Sequence, residues 1–171
     1  GLNKERLREL TNSFIERQVG RMSLVGCAPD NSPIFEDFYL RLLGAMENFC
    51  ATDRFLFGSR PSLADFGLFG QLAILANDPT PMAIMKNNCP RTDRWVKRLD
   101  DCSGLDGHWA KDGEETDLIV GSLLDLVGIF YLPFLAANYK AIQEGARKVS
   151  VILDGRVYEQ PVYRYQAKCF E

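Results

Sequence analysis

The chain has 171 residues with 46% hydrophobic and 25% charged content, enough for a real core and ordinary for a folded domain. A net charge of −3 gives no reason to expect a nucleic-acid partner. The five cysteines (Cys27, Cys50, Cys89, Cys102, Cys169) are odd in number, and none stands in a C-x-x-C pair. That spacing points away from a zinc site or a disulfide framework and towards a reducing, cytoplasmic setting.

From Asn3 to about Arg21 the pattern predicts a helix, with Leu7, Leu10 and Phe14 on one stripe. Arg17 and Arg21 are four apart and share a face, read as a solvated basic edge. After a loop from Gly26, Ser32-Pro33 reads as an N-cap followed by proline at the first helical position. The helix that follows runs to about Thr52. Its stripe of Phe35, Phe38, Leu42, Met46 and Phe49 reads as core. These two helices are expected to pair as a long antiparallel hairpin.

Gly58 to Pro61 forms a turn, and Ser62 then stands three residues before Asp65. This is a capping box with Asp in place of Glu or Gln: each side chain can bond the other residue's amide. From Leu63 to Ala76 only Asp65 and Gln71 interrupt an apolar or glycine run. A helix apolar on every face is a buried one, so this element is expected to be central and covered by the others. Asn77-Asp78-Pro79-Thr80-Pro81 breaks the chain. Short helices are then expected from Thr80 through Met85 and from Cys89-Pro90, the latter with Trp95 and Leu99 on one face. Arg91, Arg94, Lys97 and Arg98 read as its solvated side.

Ser103 to Gly113 is a glycine-rich loop holding His108, the only histidine, and Trp109. No strand precedes it and no nucleophile can be placed beside the histidine from sequence. A phosphate cradle and a nucleophile–His triad are therefore both unsupported. Leu118 to Ala137 is long enough to span a bilayer, on the order of 20 residues. It contains Asp125 and Pro133. A charge in lipid is costly, so a helix buried within the protein, kinked by Pro133 and continuing to about Gly145, is expected instead. The tail alternates at Val149, Val151 and Leu153. Asp154-Gly155 signals a two-residue hairpin turn, and Arg156 to Glu159 is the returning strand. Such a hairpin must lean on something larger. After Pro161, Val162, Tyr165 or Gln166, and Cys169 share a face of a last short helix.

The run G-x-R-P-S-L-A-D-F at 58–66, the apolar helix behind it, and P-R-x-x-x-W-V at Pro90 to Val96 resemble the C-terminal all-helical domain of cytosolic glutathione S-transferases. The resemblance covers residues 1 to about 140. It implies an all-α helical bundle around a buried central helix capped by Ser62 and Asp65, with the short β-hairpin added. The organisation it implies is a helical domain over 1–145 and a hairpin and short helix over 146–171. In the family, the thioredoxin-like N-terminal domain carries glutathione binding and thiol activation. That domain is not in this sequence, so the resemblance assigns no catalytic residue here, and no metal is expected. It implies that the first helix borders the electrophile pocket, making Phe14, Gln18, Arg21 and Met22 candidate substrate-binding residues. It further implies a homodimer, a small hydrophobic electrophile, and glutathione as co-substrate of the longer protein. This segment alone is expected to bind no glutathione and to be inactive. No membrane or nucleic-acid partner is expected. A non-catalytic interaction module of the same fold is the alternative.

Overall fold

A computed structural model describes residues 3–52, 54–111 and 116–170. The helices are α1 (Lys4–Met22), α2 (Ser32–Phe49), α3 (Leu63–Leu75), α4 (Pro79–Asn88), α5 (Pro90–Leu99), α6 (Thr116–Leu126) and α7 (Leu132–Gln143). The strands β1 (Lys148–Leu153) and β2 (Arg156–Pro161) follow, then a 3-10 helix at Arg164–Phe170. Two compact units result: Phe38–Leu126 is one, and Gly1–Asp37 with Val127–Glu171 is the other.

In the first unit the predicted capping box is formed. Ser62 Oγ accepts from the Asp65 amide at 3.3 Å, and Asp65 Oδ2 accepts from the Ser62 amide at 2.8 Å and the Ser62 hydroxyl at 2.5 Å. The other carboxylate oxygen accepts from the Leu56 amide at 2.9 Å, which ties the preceding loop to the head of α3. Asp65 is fully buried, and these donors replace the water it has lost. The expectation that α3 is covered on every face needs correction. Only Asp65 and Leu72 are buried in it, while Leu63 is 89%, Ile74 67% and Phe66 43% exposed. α5 packs along α3, where Leu68, Phe69, Ala73 and Leu75 are half-buried.

The fold's polar anchors in this unit join residues far apart in sequence. Cys89, the N-cap residue of α5, makes no capping bond with its side chain. Glu47 of α2 supplies the cap instead, accepting from the amides of Arg91 and Thr92 at 3.0 and 2.9 Å and from the Thr92 hydroxyl at 3.2 Å. A carboxylate at a helix N-terminus satisfies orphan donors and meets the positive end of the dipole. Thr92, Trp95, Val96 and Leu99 of α5 are buried, as expected for Trp95 and Leu99. Arg98, by contrast, is not purely solvated: its guanidinium lies 4.4 Å over the buried Phe55 ring. On α2 the buried positions are Leu42, Leu43 and Met46. Leu42 and Met46 are thus core as expected, while of the aromatic members of that stripe Phe38 and Phe49 are half-buried and Phe35 is exposed. α4 begins at Pro79 under an Asp78 cap, one residue earlier than expected, and runs on to Asn88, three beyond Met85.

In the second unit, Asn3 caps α1 through the Arg6 amide at 2.8 Å, but no residue of α1 is buried. The amphipathic stripe of α1 is present and unburied. α2 begins at Ser32, after a 3-10 turn at Pro29–Asn31, with Ile34 buried and Phe35 open at its edge. A π-helical turn, Val127–Tyr131, leads into α7. Pro133 cannot donate to the ladder and its ring opposes the carbonyl four residues back, so the wider turn just before it accommodates the strain without breaking the helix. The helical run Leu118–Gln143 is long and apolar enough to cross a membrane by length and composition alone. Only 28% of its most apolar window is buried, so the expectation of a helix sheathed within the protein is corrected here too.

The hairpin pairs Val149 with Gln160 and Leu153 with Arg156, in antiparallel register. Asp154 and Gly155 both take positive φ, 48° and 76°, as a two-residue turn of this hand requires. It leans on α7, with Val149, Leu153 and Tyr158 buried and Tyr158 edge-on to Phe35 and Phe134. Buried Asn31 donates to the Gly26 and Glu159 carbonyls at 2.7 and 2.8 Å, which clips the turn before α2 to β2. Gly26 has φ 78°, and a Cβ there would sit 1.9 Å from Tyr158 Oη. Residues 112 and 113, the end of the glycine-rich loop, and the Cys169 side chain lie outside the described residues.

Candidate functional site

Three places are candidates for a functional site. The first is the outer face of α1. Phe14, Gln18, Arg21 and Met22 follow helical spacing and are all exposed on it, with Arg17 placed 5.5 Å from the centre of the Phe14 ring. The four side chains share one face.

The second is the loop clip around His108. Sequence reasoning placed no hydroxyl beside this histidine, yet Ser59 is there, 49 residues away. Its Oγ lies 3.3 Å from His108 Nδ1 and accepts from the His108 amide at 3.1 Å, while the Ser59 amide donates to the His108 carbonyl at 3.0 Å. Gly58 is what permits this approach: it has φ 139°, and a Cβ on it would lie 2.3 Å from the His108 carbonyl oxygen. Arg60 stacks at 4.8 Å over Trp109 in the same clip. Among the described residues no carboxylate is bonded to the imidazole, and the histidine is exposed. The arrangement closes two loops; it lacks the third member that would orient a base.

The third is a cleft of about 240 Å³ in the unit formed by residues 38–126. The end of α2, the segment after it and the start of α6 make its walls: Phe49, Phe55, Leu118 and Ile119 are apolar, and Asn48, Thr52, Arg54 and Ser122 are polar. No periodicity in the sequence pointed to it, because its walls come from segments more than 60 residues apart.

The thiols do not form a reactive centre. Burial first, and then the Glu47 carboxylate, push the Cys50 thiol up to about 12 and raise Cys89 as well. Burial also raises Cys102. A thiol held protonated at neutral pH is a poor nucleophile. Cys27 is exposed. Among the described residues no group of three or more His, Cys, Asp or Glu side chains is placed to hold a metal ion.

Comparison with known proteins gives a match over part of the chain. Residues 39–98 match the family model described as glutathione S-transferase, C-terminal domain. That span holds most of α2 and all of α3, α4 and most of α5, including the Ser62–Asp65 box and the Glu47 cap. No curated protein and no solved structure matches the chain.

Proposed function

We propose that this chain, which carries a glutathione S-transferase-like C-terminal domain at residues 39–98, is the electrophile-holding and dimerising part of a cytoplasmic glutathione transferase. The family match, with the capped α3 at its centre, is the observation that carries the reading. In this reading a thioredoxin-like domain outside the present sequence binds glutathione and stabilises its thiolate. The thiolate forms a carbon–sulfur bond to the electrophile as the leaving group departs with its electron pair. Phe14, Gln18, Arg21 and Met22 of α1 line the place where a small hydrophobic electrophile is held. The contribution of this chain is proximity and orientation, which can supply several kcal/mol of a barrier. No catalytic group is assigned within it, so the segment alone turns nothing over.

The test is conjugation of glutathione to 1-chloro-2,4-dinitrobenzene by the longest natural polypeptide containing this chain, with the 171-residue segment as control. Retention on immobilised glutathione and chloride release by the longer polypeptide alone support the reading. Activity of the segment by itself, or none in either, overturns it. A second reading, a non-catalytic interaction module of the same fold, is favoured by one feature: α1 presents Leu7, Leu10, Phe14 and Val19 without burying any of them. Recovery of a stable protein partner in the absence of glutathione retention would favour that module.

A further inference from the structure

The cleft between the end of α2 and the start of α6 uses none of the α1 residues and has no role in the glutathione reading. Half-buried Phe49 gives it an aromatic wall, Leu118 and Ile119 add aliphatic ones, and the fully buried Phe55 adjoins it. At about 240 Å³ it is smaller than the roughly 300–1,000 Å³ of sites for drug-sized ligands, which limits its occupant to one or two rings.

The polar groups of the cleft select further. The Thr52 hydroxyl donates to the Phe49 carbonyl at 3.1 Å, and the Ser122 hydroxyl donates to the Leu118 carbonyl at 3.0 Å. Each hydroxyl has one proton, and in both cases it is committed to the backbone. What these side chains offer an incoming molecule is lone pairs. Arg54 has the opposite character: a guanidinium carries five N–H donors and no acceptor, so it can serve a guest as well as a protein partner. A guest that satisfies both kinds of group needs a single oxygen able to donate and to accept, attached to a flat apolar body.

We propose that this cleft is a binding site for small phenols, with the ring against Phe49 and Leu118 and the phenolic hydroxyl donating to Thr52 or Ser122 while accepting from Arg54. An ether of the same shape fills the apolar walls but cannot donate. It therefore leaves the hydroxyl lone pairs without a partner and binds more weakly.

The probe is 4-ethylphenol, with 4-ethylanisole as its non-donating counterpart, titrated into the intact 171-residue chain and followed by amide chemical shifts. The expected result is saturable shifts at Phe49, Phe55 and Ser122 with a Kd on the order of 0.1–1 mM, and binding of the anisole about tenfold weaker. Ser122 is exposed, so Ser122→Trp can obstruct the cleft without disturbing a core, and it should abolish both sets of shifts. The double variant Thr52→Val with Ser122→Ala should weaken the phenol about tenfold and leave the anisole unchanged. Equal affinity for the two probes, shifts that survive Ser122→Trp, or no saturable shift with the phenol would each overturn the proposal.

Discussion

Replacing Asp65 by Ala removes the acceptor for three donors at once: the Leu56 amide, the Ser62 amide and the Ser62 hydroxyl. Loss of the capping arrangement costs roughly 0.5–2 kcal/mol. The Leu56 amide belongs to a buried residue and cannot turn to water, which adds about 1–3 kcal/mol for an unmade hydrogen bond. Against this, removing a buried carboxylate relieves a desolvation cost, so the net loss should settle near 2–4 kcal/mol. Asp65→Asn retains one carbonyl oxygen and should lose about half as much. Trp95 is buried on α5, which packs against α3, and its fluorescence during urea denaturation reports the same unit. With a slope of about 1–3 kcal/mol/M, the Ala variant should unfold one to two molar earlier in urea, roughly. A shift smaller than that of an ordinary surface substitution, or an Asn variant as damaged as the Ala one, would refute the claim that Asp65 acts as a multiple acceptor.

Further outcomes follow from the other anchors. Glu47→Ala should cost about 1–2 kcal/mol by uncapping α5, whereas Arg91→Ala, whose Nε sits 4.0 Å from Glu47, should cost little, both read by urea midpoint. Gly26→Ala combines an unfavourable positive φ with a collision against Tyr158 Oη, and should destabilise the hairpin unit by about 2–4 kcal/mol. Gly20→Ala, with open space around its Cβ position in α1, should instead raise helicity slightly by circular dichroism. Burial raises the Tyr158 hydroxyl from 10.0 to about 12 and the Cys50 thiol from 9.0 to about 12. The folded state thus holds both protons more tightly than the unfolded chain does. That stabilisation is complete below pH 9 and is lost as pH rises towards 12. Urea midpoints across that window should fall, and fall less steeply in Cys50→Ala.

What could be read in the sequence was what lies within a few residues. Ser62 and Asp65 are three apart, and Asp154-Gly155 is a contiguous turn, so local chemistry fixed both. The glutathione S-transferase C-terminal resemblance rested on the same stretch that the family match covers. Periodicity told which faces of α1 and α3 are apolar but not what lies against them; an apolar face was taken to be a covered one, and for Leu63, Ile74 and Leu7 it is not. The Glu47 cap, the Ser59–His108 clip and the cleft join positions 44 to 77 residues apart, and no local pattern marks either member of such a pair. The α1 face was assigned through the resemblance alone, and its four residues still await a substrate.

The clip by which Asn31 grips the Glu159 carbonyl spans 128 positions of the chain. One compact unit is a single uninterrupted stretch, while the other is assembled from residues 1–37 and 127–171. During synthesis the middle stretch has left the ribosome before Tyr158 has been made, so it can gather its contacts first. Residues 1–37 have to wait for residues 127–171 to emerge, and distant closures of that kind are slow. Pulse-labelled exchange during refolding should find the amides of α5 sheltered ahead of those of β2, and the reverse order would show that the ends find each other without help from the middle.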